Sequence, residues 1–329
     1  MFSRRDFVHL VGAGGLLALA KPGNAVAQSV RTGTTKLLVG FPAGGSIDVI
    51  ARLLVSQLRG YASTMIVENR PGAGGQLSLA TLKSSAPDGS TLVLTPAGML
   101  AIFPHTYKTL PYDPFQDFTP VSTVATFPFL LTVGPKVPTA VKSISDFVAW
   151  CRTNPKDASY GTPGLGSLPH FLGVEFARAS KTELVHVPYK GSQSALQDMV
   201  KGDVAANFGL LGNAAPLLAS GQIRALAITA PSRTAGLPAI PTFREAGYPD
   251  LEAVEWFGVF VPAGTPAATV DQLNAEIRKA LTTKVVRDGL ATWHMDPAGN
   301  SPAEFARLVR SDFDRWGAVV RAAAFAPLE

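Results

Sequence analysis

Strand-like apolar runs alternate with helix-spaced segments along the chain, and glycine-rich loops stand where strand passes into helix. No other feature constrains the fold as much. KLLVGF (36–41) precedes apolar residues at helical spacing from Ile47 to Leu58, and TMIVE (64–68) precedes NRPGAGG and a helix-like stretch from Gln76 to Lys83. Pro87-Asp88-Gly89 turns into TLVLT (91–95). Such alternation across short loops predicts an α/β chain whose mixed, mainly parallel sheets are covered by helices on both faces.

The pattern restarts after the proline-rich passage LPYDPFQDFTP (110–120). FPFLLTVGP (127–135), ASYG, ELVHV, DVAANF and IRALAITA (223–230) are strand-like, with helices expected at 168–179 and 192–200. Ser143-Ile144-Ser145-Asp146 has the form of a capping box opening a helix towards Trp150. VAANFGLLGNAAPLLAS (204–220) reads as strand, loop and helix within a core, and WFGVFVP (256–262) as a further strand. Thr265-Pro266 and Ser301-Pro302 are expected to cap the C-terminal helices.

Two such successive units predict two lobes. Residues 28–128 and 232–329 would form one lobe and 129–231 the other, hinged near Thr126–Val133 and Thr229–Pro231 or at the strand of Trp256. In open sheets ligands sit beyond the carboxyl ends of the strands. The glycine-rich loops fall at those ends, which points them into one cleft.

The first residues bear on where such a chain works. MFSRRDFVHLVGAGGLLALAKPGNAVAQS runs from a charged start through an apolar stretch, Phe7 to Ala20, to Ala25-Val26-Ala27. That order is an export signal, with cleavage expected after Ala27, and Ser3-Arg4-Arg5-Asp6-Phe7-Val8 is a twin-arginine pattern. The mature protein is then expected in the periplasm, as a soluble monomer. Cys151 is the single cysteine, so no internal disulfide can form, and the expectation is a buried thiol beside Trp150.

The formal charge is +5, of which Arg4, Arg5, Lys21 and Asp6 contribute +2, leaving +3 spread along the chain without Lys/Arg blocks. This argues against nucleic acid and for small anions. Nucleotide readings fail on detail. Ser46 stands where a Walker loop needs lysine, and neither FPAGGSID nor RPGAGGQL fits G-x-G-x-x-G. There is no Gly-x-Ser-x-Gly elbow, and His105, His170, His186 and His294 are scattered without metal-ligand spacing. No cofactor, metal or catalytic residue is expected.

VGFPAGGSIDVIARLL (39–54) offers a helix start with open N–H groups, Ser46 as cap, and glycines that let a ligand come close. Asp48 complements the helix dipole yet would repel a second negative charge, so a carboxylate would sit on the backbone with Asp48 offset or facing an amine or hydroxyl. Taken alone, the loop reads equally well as a plain turn and cap. YGTPGLGSLPHFLGVEF (160–176) repeats the arrangement with Thr162, Ser167 as cap, and His170 as donors. HVPYKGSQSALQDM (186–199) adds Tyr189, Lys190 and the N–H groups near Gly191. Phe41, Met99, Phe103, Phe129 and Trp256 are either an apolar wall or core.

FPAGGSIDVIAR, IVENRPGAGG, APDGSTL, LPYDPFQDFTPV, HVPYKGSQSALQDMVKGDV, IRALAIT and PTFREAGYPDLEAVEWFGVFVPAGTP follow one another over essentially the whole mature chain. In this the sequence resembles the Bug (TctC-like) family, the extracytoplasmic solute-binding proteins of tripartite tricarboxylate transporters. The resemblance implies a two-lobed, type II-like periplasmic binding fold that closes on a small organic acid held through backbone groups and ordered water. Carried onto this chain, the ligand-binding residues are Phe41, Ala43, Gly44, Gly45, Ser46 and Asp48 in the first lobe. In the second they are Thr162, Gly166, Ser167 and His170, with Tyr189, Lys190 and Gly191. Thr162-Pro163 stands where many relatives have a Ser-x-Gly start. The partner would be the membrane subunits of a tripartite tricarboxylate-type transporter. A rival reading has the loaded form docking on a sensor kinase, and a third is a secreted enzyme.

Overall fold

The computed structural model describes residues 30–234 and 236–329; the export signal read at 1–27 lies outside them. The first strands and helices are β1 (Arg31–Val39), α1 (Ser46–Gln57), β2 (Ala62–Asn69), α2 (Gln76–Lys83), β3 (Thr91–Pro96), and the single-turn helices α3 (Gly98–Ala101) and α4 (Phe103–Thr106). Then follow β4 (Phe118–Val133), α5 (Ile144–Thr153), β5 (Ser159–Thr162), α6 (Leu168–Ser180), β6 (Val185–Pro188), α7 (Ser192–Lys201), β7 (Ala206–Leu210), α8 (Leu211–Ala219) and β8 (Arg224–Ile228). The chain returns through β9 (Val254–Pro262), α9 (Ala267–Thr282), α10 (Lys284–Thr292), β10 (Asp296–Pro297) and α11 (Pro302–Ala322).

One long strand makes two sheets. Phe118 to Pro128 of β4 pair with β9, whereas Phe129 to Val133 pair with β7 on one side and β8 on the other. The first sheet runs β2-β1-β3-β9-β4, with β10 on the outer edge of β4, and the second runs β6-β5-β7-β4-β8. β1 pairs in parallel with β2 and β3, and β5 with β6 and β7. β9 is antiparallel to both β3 and β4, so it alone among the five main strands runs against the others. In the second sheet β4 plays that part, antiparallel to β7 and β8. The two sheets therefore have the same layout, each mainly parallel with one reversed strand from the crossing between them.

Alternation in β1 fixes how the faces are covered. Leu37 and Val39 pack into a cluster with Ile47, Ile50, Ala51 and Leu54 of α1 and Leu273 and Ile277 of α9. Leu38 points the other way, towards Leu79 and Leu82 of α2 and Phe305 and Val309 of α11. The buried stripe of α1 falls at i, i+3, i+4 and i+7, the period of a helix with one face on a sheet. In the second unit Phe147 and Cys151 of α5 and Phe171 and Phe176 of α6 pack with Tyr160 and Phe208, while Leu196 and Met199 of α7 join a cluster with Val204, Ala214 and Ile223. Cys151 is buried there as expected, which pushes its thiol pKa up to about 12.

Ser143 forms the capping box read from the sequence, and Ser301, read as a cap, forms a capping box with Glu304 as well. Four expectations need correction. FTPVSTVAT (118–126) continues FPFLLTV as one 16-residue strand despite Pro120 and Pro128. The register against β9 shifts between Pro120 and Ser122 and again between Thr123 and Ala125, the irregularity that lets a strand carry proline. No loop separates β7 from α8. Finally, the cap of α1 is Gly45, not Ser46, and α9 starts at Ala267 after Pro266, while Thr265 Oγ1 donates back to the Pro262 carbonyl.

Gly173 marks the tightest helix-to-sheet approach in the second unit. A Cβ there would lie 2.0 Å from the Tyr160 ring, whose hydroxyl is fixed on the His170 carbonyl at 2.9 Å. Gly173→Ala should destabilise the protein by about 1–3 kcal/mol through overpacking, read as a lower urea midpoint at unchanged m-value; an unchanged midpoint would contradict this packing.

Candidate functional site

Strand direction decides where loops from both units meet. The carboxyl ends of β1, β2 and β3, the start of β9 and the point where β4 leaves the first sheet share one end. The carboxyl ends of β5 to β8 and the point where β4 enters the second sheet share another. Both ends flank the same passage, Phe127 to Phe129. The two units touch beside it: a Cβ on Gly98 of α3 would lie 4.0 Å from the Leu168 nitrogen at the start of α6, and one on Gly166 would lie 3.4 Å from Thr106 Oγ1.

The first loop is a braced turn. Gly40 packs on the Gly75 backbone, and a Cβ on Gly75 would meet Met99 Cε at 2.8 Å and Phe41 Cζ at 3.4 Å. The Phe41 carbonyl accepts from Asn69 Nδ2 at 3.0 Å. Pro42 to Gly45 are exposed, Ser46 is half-buried, and Gly44 adopts φ +85°, the region glycine favours.

Asp48 is tied into this loop. Its side chain is 3% exposed and bonded within the loop and to β2. Oδ2 accepts from the Gly44 N–H at 2.9 Å and from Arg52 Nε at 3.0 Å; Oδ1 accepts from Asn69 Nδ2 at 2.9 Å and faces Arg52 Nη2 at 2.9 Å. Burial raises its pKa, but the Arg52 guanidinium, the Gly44 N–H and the Asn69 amide outweigh that and hold it below the ordinary carboxylate value. Asp48 is thus a structural anion that shapes the loop.

The second-unit loop is also braced from within. Thr162 is fully buried, its Oγ1 donating to the Gly164 carbonyl at 3.1 Å and lying 2.7 Å from His186 Nε2. His170, expected as a donor, is 5% exposed; its Nδ1 accepts from the Gly166 N–H at 3.2 Å and its ring stacks on His186 at 3.9 Å. Burial lowers the His170 pKa to about 4, and burial together with His170 lowers that of His186 to about 3. Both rings are neutral at pH 7. Gly166, at φ +73°, is buried against Thr106 and Leu328.

Ser167 is half-buried and donates to the Gly164 carbonyl at 2.6 Å, which leaves the start of α6 without its side chain as a cap. Tyr189 lies against Gly161; burial and a bond to Asp198 push its pKa up to about 12. Lys190 is exposed and Gly191 half-buried at φ +124°. Tyr189, Lys190 and Gly191 sit within the second unit, at the same end as the Thr162 loop. Met99, Phe103, Phe129 and Trp256 are core, and only Phe41 of that aromatic and methionine set is half-buried.

What this end has in common is helix starts without side-chain caps. α1 and α2, after β1 and β2, and α6, α7 and α8, after β5, β6 and β7, all begin there, and none has a side-chain cap bond. α5, α10 and α11, which begin elsewhere, are capped by Ser143, Thr283 and Ser301; α9 is an uncapped helix away from this end. An uncapped first turn presents unshared N–H groups and the positive end of the helix dipole, which suits an anion.

The sequence reading missed Glu255. It stands in β9 opposite Phe127, 5% exposed, accepting from the Gly98 N–H at 3.3 Å. Burial, with Asp312 adding to it, pushes its pKa up to about 8 against the backbone N–H bonds. Its signal is a lone acid in the apolar run AVEWFGVFVP. Of two surface cavities, of about 500 and 680 Å³, neither is lined by any of the expected ligand-binding residues; the second reaches Pro128 and Leu211 beside the passage. No group of His, Cys, Asp and Glu among the described residues has the arrangement to hold a metal ion.

The sequence model of the tripartite tricarboxylate transporter family receptor, TctC, matches residues 50–325. Protein BugT of Bordetella pertussis is 34% identical over 288 residues, covering 87% of this chain and 88% of that protein. Among solved structures, a Rhodopseudomonas palustris protein with adipate is 34% identical with a TM-score of 0.82, covering 90% of this chain and 98% of that one. MatC from the same organism, with bound malate, is 31% identical with a TM-score of 0.77, covering 87% and 98%. The periplasmic binding protein BugD is 27% identical with a TM-score of 0.80, covering 90% and 99%.

Proposed function

The chain belongs to the tripartite tricarboxylate transporter receptor family, and from that premise we propose that it captures a small organic acid between its two units and delivers it to a tripartite tricarboxylate-type membrane transporter. It works in the periplasm, after export through the signal at residues 1–27. The sequence divides the lobes as residues 28–128 with 232–329, and residues 129–231; because Phe243 and Tyr248 pack against Phe176 and Phe208, residues 236–253 go with the second lobe and the return crossing falls at Ala253–Val254. The change of partner along β4 between Pro128 and Phe129 supports that division.

The observation that carries this reading is the gathering of uncapped helix starts on either side of the passage. A ligand carboxylate is held by N–H groups of the Ala43–Ser46 turn and the start of α6, directly or through water. Phe41 lies along its apolar part, with Ser167, Tyr189, Lys190 and Gly191 closing from the second unit. Binding at micromolar affinity requires about 8 kcal/mol, within reach of several charge-assisted hydrogen bonds at about 1.5–3 kcal/mol each plus apolar burial. No step needs a reactive side chain.

A thermal-shift screen tests this, starting with adipate and malate because similar proteins hold them. An acid present at 100 times its dissociation constant adds about 2.7 kcal/mol to the folded state, so at least one should raise the melting temperature by several degrees and be recovered unchanged. A broad organic-acid library without a single shift would count against the reading.

A further inference from the structure

Where β4 changes partner, two buried backbone groups are left stranded: the Phe129 N–H, as the strand leaves β9, and the Ala253 carbonyl, just before β9 begins. Thr229 serves both. Its Oγ1 accepts from the Phe129 N–H at 2.9 Å and donates to the Ala253 carbonyl at 2.6 Å. Its own N–H donates to the Phe129 carbonyl at 2.9 Å, and its carbonyl accepts from the Ala253 N–H at 2.9 Å. Thr229 is fully buried, and Phe129 and Ala253 are 2% exposed. Buried polar groups left unpaired are costly, so this hydroxyl is worth more than a surface one.

The chain passes between the two sheets at these same places, along β4 and between β8 and β9. Both crossings are therefore tied to one side chain. On the first-sheet side the adjoining pair is Pro128 with Val254, where proline offers no N–H and Val254 is 41% exposed. The ladder is weak there and strong one residue further on.

We propose that Thr229 is the positioning residue of closure, a pin that makes Phe129, Thr229 and Ala253 one rigid piece moving with the second unit. Bending is then confined to the Pro128–Phe129 and Ala253–Val254 links. This rests on the reading of a protein that closes on an acid, and it narrows the hinge from the broad segments expected from sequence to two links.

Amide hydrogen exchange on the full chain, with Thr229→Val and Thr229→Ser, tests it. The Phe129 and Ala253 amides of the wild type should exchange equally slowly with and without acid. Thr229→Val, which keeps shape and removes the hydroxyl, should speed both by about tenfold or more and shorten the residence of bound adipate or malate by a similar factor. Thr229→Ser should restore both. Unchanged exchange in Thr229→Val, or faster exchange with unchanged residence, overturns the pin. Should no acid bind the wild type, it is the capture reading that fails, and small-angle scattering decides the pin: Thr229→Val must broaden the size distribution of the free protein, and an unchanged distribution overturns it. If Thr229→Val does not fold, the wild-type pattern decides: Phe129 and Ala253 exchanging faster than Leu130 and Leu131 would refute the proposal.

Discussion

Glu255→Gln is expected to stabilise the protein by several kcal/mol at pH 8 and to flatten its loss of stability towards alkaline pH. The wild-type carboxyl has a folded pKa of about 8 against an ordinary value of 4.5. Between those values the folded state keeps a proton that the unfolded chain gives up, so stability falls as pH rises, by roughly 1.4 kcal/mol per unit. Across the window the loss is of the order of 5 kcal/mol, complete near pH 8 and absent below pH 4.5. Glutamine keeps an oxygen for the Gly98 N–H and has no proton to lose.

Other groups tilt the wild-type profile, so the comparison must be made as a difference between the two proteins. Asp312, raised by burial, has the same sign as Glu255. His170 and His186 have the opposite one, since they are buried neutral and weaken the fold as pH drops below their ordinary 6.5. Subtracting the profiles leaves Glu255 together with its coupling to Asp312. Urea midpoints at pH 5 and pH 8 measure it: parallel profiles for variant and wild type would show that Glu255 is ionised at no such cost.

Asp48→Ala carries the second large effect, and it separates a brace from a ligand contact. Removing the carboxylate strands the Gly44 N–H, the Asn69 amide and the Arg52 guanidinium at once. Breaking a buried ion pair costs about 3–5 kcal/mol, and because the Arg52 side chain is 52% exposed and can turn to water the expected loss is about 2–3 kcal/mol. The free protein should melt lower, and acid affinity should fall by about tenfold or more because the turn at Ala43–Ser46 is no longer held. Were affinity to fall with the free protein's melting temperature unchanged, Asp48 would touch the ligand directly and the brace would be wrong. The lowered pKa of Asp48 adds a pH signature: its contribution is present above pH 3.8 and is lost as pH falls through the folded value.

Much of the architecture was legible because it depends on local signals. The helix from Gln76 to Lys83, the caps at Ser143 and Ser301 and the strand-to-helix position of each glycine loop all follow from neighbours in sequence. The first half of β4 was not, because Pro120 reads as a break until the register against β9 is seen to shift beside it. Ser46 failed as a cap for a similar reason: the turn already ends on Gly45, whose backbone needs no side chain to enter the helix.

The site was legible as loops and not as side chains. Which way Asp48 turns depends on Asn69, 21 residues away, and which way Thr162 turns depends on His186, 24 residues away. Glu255 is explained by Gly98, 157 residues distant. Polar residues in a glycine loop look like ligand donors in sequence, yet here Asp48, Thr162 and His170 spend their hydrogen bonds on the loops themselves. Their work is to keep the backbone in shape, which under the proposed function leaves recognition to the peptide groups.

That division of labour is the central claim, and a crystal structure with a tightly bound acid tests it most directly. The account predicts the acid's carboxylate within hydrogen-bond reach, directly or through one water, of the N–H groups at Ala43–Ser46 and at the start of α6, with Asp48 still on Gly44, Asn69 and Arg52. An acid lodged elsewhere, or gripped chiefly by charged side chains, would contradict it.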